Sequence, residues 1–168
     1  VAYIDSAREE LSLGQLGGQV TPIRPGYTNL RAPQFVLGSL WLLGDDEEGV
    51  TRLLALDRAS DVVEVRLTLP EGAAVEAFAV SPTRARVAVV VNRQGTRDLG
   101  VLALLPSGTD TAGWARLSMV SPRGTEISDV TGVAWQSETA LAFVGSTSSG
   151  RSVFLAQADG SLVEDIGP

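Results

Sequence analysis

The sequence predicts an all-β protein built from consecutive four-stranded antiparallel sheets, and three observations carry this prediction. Short apolar or β-branched runs alternate with turn clusters along the chain, which is typical of many-stranded antiparallel proteins. These runs fall into groups that repeat along the sequence. Helix signals are nearly absent: only "DSAREELSLG", with Ser6 and Glu9 spaced as a capping box, resembles a helix start. Glycines follow it at once, so we interpret it as a hairpin turn.

Fifteen strands are expected, in groups of three, four, four and four. The first group is Val1–Ser6, Glu10–Leu16 and Val20–Ile23. The second group is Gln34–Leu37, Leu40–Gly44, Thr51–Asp57 and Val62–Leu67. The third group is Val75–Val80, Arg86–Asn92, Gly100–Leu105 and Ala115–Val120. The fourth group is Val130–Trp135, Thr139–Gly145, Ser152–Ala156 and Leu162–Ile166.

The repeat aligns Phe35, Val80 and Trp135, at intervals of about 45 and 55 residues. Each is followed by a short turn and then by the most apolar strand of its group, "LWLLG", "VAVVV" or "LAFVG". The outer strands alternate apolar and polar residues. Groups of four strands with apolar inner strands and alternating outer strands describe the blades of a β-propeller. A β-sandwich is the alternative, but a sandwich has no reason to repeat at this interval.

The chain is therefore expected to be one propeller fragment of just under four blades, and we expect it to be part of a larger propeller. The blades are predicted at residues 1–26 (incomplete), 34–67, 75–120 and 130–166. The inner hairpins Val75–Asn92 and Val130–Gly145 should be the most buried segments. Open blade flanks are expected to favour self-association.

Composition excludes several classes of function. The net charge of −7 argues against nucleic acid and anionic lipid surfaces as partners. No cysteine and no histidine is present, which excludes disulfides, thiolate zinc sites, cysteine nucleophiles and an Asp–His–Ser triad. No apolar run approaches the ~18 residues that span a bilayer.

The stretch "GDDEEG" places four carboxylates in a row and suggests a calcium loop at first sight. Calcium loops instead space their ligands at alternate positions, with a glycine at the turn and a distant bidentate Glu. We interpret the run as a solvated turn, and the sequence indicates no metal and no other cofactor.

Five residues are candidates for contacts with a protein partner: Arg93, Arg97, Trp114, Arg123 and Arg151. Three of the arginines lie in loops between the second and third strands of a blade, and the fourth lies in a blade-linking loop on the same face. Arginines there could bind carboxylates of a partner, and solubility is the alternative. Trp114 begins an outer strand and is expected to be exposed, whereas Trp41 and Trp135 are expected in the core.

Catalysis is not expected from these residues. Sialidase-like boxes of the form Ser-x-Asp-x-Gly-x-x-Trp are not seen. A hydrolase would need paired carboxylates from different blades, and the inner strands are nearly free of acids, with Glu76 and Asp129 as exceptions. The prediction is a chain that is not an enzyme. A cell-wall or carbohydrate-binding propeller and a propeller glycosidase or lactonase are the alternatives.

Three stretches carry a resemblance to a known family: "FAVSPTRARVAVVV", "VTGVAWQSETALAFVG" and "PQFVLGSLWLL". With the blade order and 13 arginines without a lysine, they resemble the C-terminal β-propeller of the LpqB family of actinobacterial lipoproteins. The first stretch is similar to the family's inner hairpin "SxDGxRvAvv". It departs from that pattern at "SPTRAR", where the Asp-Gly of the turn is replaced.

The resemblance implies a cellular role. LpqB-like proteins carry an N-terminal lipid-modified cysteine and a sporulation-protein-like domain ahead of the propeller, and neither lies within these 168 residues. They sit outside the cytoplasmic membrane, which the parent protein would reach through its lipid anchor. They are accessory partners of the MtrA–MtrB two-component system and bind the extracellular part of its sensor kinase. The resemblance therefore implies an extracytoplasmic protein-binding module.

Overall fold

A computed structural model of the chain describes residues 2–5, 10–14, 20–23, 26–56, 61–117, 126–161 and 163–167. These residues form fifteen strands and no helix. The strands make one three-stranded and three four-stranded antiparallel sheets, and within each sheet every strand pairs with the next along the chain. The prediction of consecutive four-stranded antiparallel sheets is confirmed. None of the described residues belongs to a helix that could cross a membrane.

The strands of each sheet are bounded as follows. The first sheet holds β1 (Ala2–Asp5), β2 (Glu10–Gly14) and β3 (Val20–Ile23). The second holds β4 (Thr28–Val36), β5 (Ser39–Asp45), β6 (Thr51–Leu56) and β7 (Val62–Val65). The third holds β8 (Ala74–Val80), β9 (Arg86–Arg93), β10 (Thr96–Leu104) and β11 (Thr111–Arg116). The fourth holds β12 (Ser128–Trp135), β13 (Ala140–Thr147), β14 (Gly150–Gln157) and β15 (Val163–Gly167).

The chain divides into two compact units, Val1–Arg66 and Leu67–Pro168. The core of the first unit is a leucine cluster from the first two sheets, with Ile4, Tyr27 and Val62 packed against it. The buried members of this cluster are Leu11, Leu30, Leu40, Leu42, Leu54 and Leu56. Leucines on alternate positions of β5 and β6 bury one face of the second sheet, as expected for a sheet that packs on a neighbour.

The third and fourth sheets pack together in the second unit and share one apolar core. The third sheet and the residue after it contribute Ala88, Val90, Leu99, Val101 and Leu117. The fourth sheet and the residue before it contribute Ile127, Val130, Leu141, Phe143, Phe154, Ala156 and Val163. The rings of Phe143 and Phe154 stack with their centroids 5.4 Å apart.

The inner hairpins differ in burial. Val87–Val91 in β9 is at most 1% exposed, because this run is apolar on both faces of the strand. In β13, buried and half-buried residues alternate: Leu141 and Phe143 are buried, and Ala142 between them is half-buried. High burial is thus confirmed for Val87–Val91 of β9, whereas in the second hairpin Val130, Leu141, Phe143 and Gly145 are buried and the remaining residues are half-buried or exposed. In the second sheet, residues 39–44 are as buried as β9.

The structure lengthens one predicted strand. β4 begins at Thr28 rather than at Gln34. Its pairing with β5 is irregular at two points, and Asn29 and Ala32 adopt left-handed φ values of 47° and 53°. The prediction missed this part because a bulged strand has no regular alternation of apolar and polar residues.

Another predicted strand is displaced along the sequence. β11 spans Thr111–Arg116 rather than Ala115–Val120, and residues 118–120 lie outside the described part. Its register against β10 shifts between Val101 and Ala103. Gly113, with φ at 65°, lies next to this shift. The irregularity obscures the strand because it breaks the period-two pattern.

The turn of the third sheet's inner hairpin keeps its shape without Asp-Gly. Arg84 takes a left-handed φ of 62°, at the place where the resembled pattern has its glycine. Ser81 holds the turn, since its Oγ accepts hydrogen bonds from the backbone N–H groups of Ala85 and Arg86, both at 3.1 Å. A short hydroxyl side chain thus stabilises a conformation that glycine adopts freely.

Candidate functional site

The first strand of each four-stranded sheet carries a bulge near its N-terminal end. The pairing of this strand with its neighbour slips there in all three sheets. Each sheet has one bulge residue with an amide or carboxylate side chain: Asn29, Glu76 and Asp129. Bulges re-aim side chains and are common next to functional sites. The N-terminal ends of β4, β8 and β12 are therefore candidate positions for a functional site.

Arg97, near the start of β10, joins two of these bulges. Its Nε donates a hydrogen bond to Glu76 Oε2 at 2.5 Å, and its Nη1 donates to Asp129 Oδ1. Asn92 Nδ2 donates to the other oxygen of Glu76 at 2.8 Å. Because Glu76 belongs to the third sheet and Asp129 to the fourth, Arg97 ties the two sheets together. We call these four residues the Arg97 cluster.

The hydrogen bonds of the cluster shift the pKa values of Glu76 and Arg97. Burial acts to raise the pKa of Glu76, but the hydrogen bonds from Asn92 and Arg97 outweigh it and hold that pKa below the ordinary value of 4.5. The hydrogen bonds to Glu76 and Asp129 raise the pKa of Arg97. Both groups are therefore charged at neutral pH.

Replacement of Glu76 by glutamine is expected to flatten the acid side of the stability profile. A carboxylate whose folded pKa is lowered stabilises the fold above its ordinary pKa, and this contribution is lost as the pH falls through the folded value. The difference in unfolding midpoint between wild type and Glu76→Gln should therefore shrink below about pH 4. Urea unfolding between about pH 3 and 7 measures it.

The matched control for this experiment is Glu71→Gln. Glu71 lies in an exposed turn and forms no ion pair with any described residue. Its variant should follow the wild-type pH profile. Parallel profiles for wild type and Glu76→Gln would contradict the ion pairing of Glu76 with Arg97.

A groove of about 310 Å³ lies beside the Arg97 cluster. Residues 95–98, Arg116 and residues 126–129 line it, and we call it the β10–β12 groove. Asp98 is a fixed part of its wall, because its side chain is only 8% exposed and accepts a hydrogen bond from Arg116 Nη2 at 2.6 Å. The other wall is fixed by Ile127, which packs so closely on Gly145 that a Cβ there would lie 2.6 Å from Ile127 Cγ2.

The acidic turn of the second sheet uses two of its four carboxylates, those of Asp45 and Asp46, internally. Asp46 accepts hydrogen bonds from the backbone N–H of Val50 at 2.8 Å and from Arg52 Nε at 2.7 Å, and these bonds lower its pKa. Burial opposes ionisation of Asp45, but hydrogen bonds from Asn29, Thr51 and Arg31 lower the pKa of that carboxyl. The run behaves as a turn with its own partners. Within the described ranges, no group of three or more acidic side chains is placed to hold a metal ion.

The structure places the predicted arginines differently. Arg93 and Arg151 are exposed, and Arg151 donates a hydrogen bond to Thr131 Oγ1. Arg97 is engaged within its cluster. Arg123 lies outside the described residues. A role of these arginines in partner binding stays a prediction.

Trp114 is half-buried rather than exposed. Its ring lies directly over Gly100, where an added Cβ would come within 2.5 Å of the ring carbons. Trp41 is fully buried, as predicted. Trp135 is half-buried, and its indole N–H donates to the carbonyl of Ala79 at 2.9 Å, from the fourth sheet to the third.

Sequence reasoning missed three charged residues of the groove: Asp98, Arg116 and Glu126. Asp98 and Arg116 meet because Gly100 pairs with Arg116 in the β10–β11 ladder. The register between two strands cannot be deduced from the spacing of residues along the sequence. A charged residue at the buried start of an apolar strand, such as Asp98, was the available signal.

Several solved structures share the fold. A gluconolactonase from Xanthomonas campestris has a TM-score of 0.65 at 15% identity over 99% of this chain and 57% of its own. A puromycin-hydrolysing peptidase from Mycobacterium tuberculosis has a TM-score of 0.60 at 16% identity, over 94% of this chain and 24% of its own. A luciferin-regenerating enzyme has a TM-score of 0.60 at 13% identity, over 95% and 56%. The chain thus spans between about a quarter and three fifths of these proteins.

These similarities correct the prediction that the chain is not an enzyme. All three structures are enzymes, so the architecture gives no ground for excluding catalysis. The reason behind the prediction also fails, because Glu76 and Asp129, from the first strands of two successive sheets, do converge on Arg97. At identities of 13–16% the likeness shows a shared fold and no shared activity.

The family of the chain follows from a match along almost its whole length. No curated protein matches the chain. A family model described as the lipoprotein LpqB beta-propeller domain matches residues 1–167. The repeated four-stranded antiparallel sheets are the blades that this description requires. The chain belongs to the family of LpqB lipoprotein β-propeller domains.

Proposed function

We propose that this chain is the protein-binding module of an extracytoplasmic lipoprotein and that its partner is the extracellular domain of a two-component sensor kinase. Membership of a lipoprotein family supports attachment of the parent protein to a membrane through a lipid. The partner is the one that the family resemblance implies. This proposal concerns one edge of the second unit, which carries residues 93–97, 126–129 and 147–151. We call it the loop edge.

The proposal rests on the charged side chains and the groove of the loop edge. It combines two exposed arginines, Arg93 and Arg151, with the Arg97 cluster and the β10–β12 groove. Loops on a rigid β scaffold commonly carry recognition. A surface of mixed charge contributes to specificity and to the rate of association more than to bulk affinity. These properties suit reversible contact between a regulator and a receptor domain.

The test is binding of the cognate kinase's extracellular domain to the 168-residue chain. Replacing Arg93 and Arg151 together by glutamine should lower the association rate constant about tenfold and weaken its dependence on salt, because exposed charges steer encounter. Surface plasmon resonance at several ionic strengths measures both quantities. Arg97 is left unchanged because its replacement would also loosen the contact between the two sheets.

A matched control removes the same charge from the opposite edge of the third sheet. Arg84 and Arg86 lie in and after the β8–β9 turn, and Arg86 is exposed and donates a hydrogen bond of 3.3 Å to the carbonyl of Glu138. The unfolding midpoint of this control is therefore compared with wild type before binding is measured. Glutamine at both positions should leave the association rate within about twofold of wild type. Equal effects of the two double variants would show only a general charge effect. The absence of binding by the wild-type chain would overturn the proposed partner.

A further inference from the structure

The positive groups that border the β10–β12 groove are already engaged within the protein. Arg97 donates to both Glu76 and Asp129, and the guanidinium of Arg116 lies 2.6 Å from the Asp98 carboxylate. A carboxylate at short range compensates the charge of each guanidinium and weakens its attraction for an acidic group of another molecule, fully engaging Arg97 and leaving the 56% exposed Arg116 with one partner. The groove is therefore a poor receptor for acidic groups.

The groove and the cluster behind it carry an excess of negative charge. Four carboxylates face two guanidinium groups in the described residues: Glu76, Asp98, Glu126 and Asp129 against Arg97 and Arg116. Glu126 is exposed and forms no ion pair with a described residue. The side chain of Asp129 is 56% exposed although Arg97 contacts one of its oxygens. The carboxylates of Glu126 and Asp129, which line the groove, can therefore still accept hydrogen bonds from a ligand there.

Contacts within the protein fix the walls of the groove. Ile127, between the two acidic positions, is 2% exposed and packs against Gly145. Asp129 occupies a left-handed conformation with φ at 49°, inside the bulge of β12. A strained residue that its surroundings fix is a recurrent feature of binding sites. Preorganised acceptors lose little entropy when a donor binds.

We infer that the β10–β12 groove receives a basic side chain, arginine or lysine, of the protein partner. This inference rests on the proposed function and specifies the chemistry of the partner at the loop edge. Charge complementarity selects a cation, and the volume of about 310 Å³ accommodates one long side chain. Guanidinium is the better fit, since its planar donors can bind carboxylates from two neighbouring positions.

Two capped tripeptides test the inference directly. Acetyl-Gly-Arg-Gly-amide should shift the amide signals of residues 95–98 and 126–129 in ¹H–¹⁵N NMR spectra, and acetyl-Gly-Glu-Gly-amide should not. Glu126→Gln should weaken binding of the arginine peptide about fivefold, the loss of one screened charge contact. Glu164→Gln is the control, because Glu164 is an exposed carboxylate on β15 outside the groove. Stronger binding of the glutamate peptide, or no effect of Glu126→Gln, would overturn the inference.

The same variants in the kinase assay separate this inference from the proposed function. Kinase binding that weakens in Glu126→Gln and is unchanged in Glu164→Gln supports both. Kinase binding that is insensitive to Glu126→Gln overturns the inference and leaves the proposed function standing. Binding of the arginine peptide without any kinase binding supports a cation-accepting groove and overturns the proposed partner.

Discussion

Replacement of Phe143 by alanine is expected to lower the free energy of unfolding by about 3–5 kcal/mol. Phe143 is 1% exposed and its ring stacks on Phe154 in the core that the third and fourth sheets share. The truncation removes that contact and leaves a cavity that two packed sheets cannot easily close. Urea unfolding followed by circular dichroism measures the loss, with the slope of the transition checked for constancy.

The same substitution at an exposed phenylalanine provides the control. Phe35 is 55% exposed at the end of β4, and Phe35→Ala should change the free energy of unfolding by about 1 kcal/mol or less. Because both variants replace phenylalanine by alanine, the difference between their free energies of unfolding reflects burial and not the residue type. Similar losses for Phe143→Ala and Phe35→Ala would show that the two sheets do not share the core described above.

The substitution Gly100→Ala is expected to cost about 1–3 kcal/mol, although it adds a single methyl group. An ideal Cβ at Gly100 would lie 2.5–2.6 Å from three carbons of the Trp114 ring. The ring is rigid and half-buried, so it must leave the surface of β10 to admit the methyl group. We expect the emission of Trp114 to shift to longer wavelength together with the loss of stability.

Gly132→Ala is the matched control for this clash. Gly132 also lies in a strand, but no atom lies within 4 Å of an ideal Cβ there. Alanine should therefore be neutral or slightly stabilising at Gly132, because it reduces the entropy of the unfolded chain. A stability of Gly100→Ala equal to that of Gly132→Ala would contradict the placement of Trp114 over β10.

The fold was predictable from sequence where burial leaves a clear pattern. β9 was found because Val87–Val91 is apolar on both faces, which a strand between two packed layers requires. β4 was found only in part, since its first half contains two irregularities and left-handed residues that break the alternation. Local pattern identifies regular strands and fails where the backbone departs from the regular pleat.

The site was less predictable than the fold because it depends on contacts between sheets. Arg97 was singled out from the sequence, and Glu76 and Asp129 were noted as unusual acids on inner strands. Their meeting depends on how the fourth sheet packs against the third, and the separation of Arg97 and Asp129 by 32 positions along the sequence does not predict it. Trp114 was expected to be exposed because it begins an outer strand. Its ring covers Gly100, which becomes its neighbour only through strand pairing.

The bulges in β4, β8 and β12 have a consequence for how such a protein can change over evolutionary time. A residue in a regular ladder is constrained on both sides, since its replacement alters cross-strand packing. A bulge residue lies outside that pairing, so its side chain can make contacts elsewhere, as Glu76 and Asp129 do with Arg97. Asparagine, glutamate and aspartate already occupy this position in the three sheets. A change of a bulge residue in β8 or β12 can therefore alter recognition and the contact between the two sheets together, and a lineage that acquires a new partner there must also keep these sheets joined.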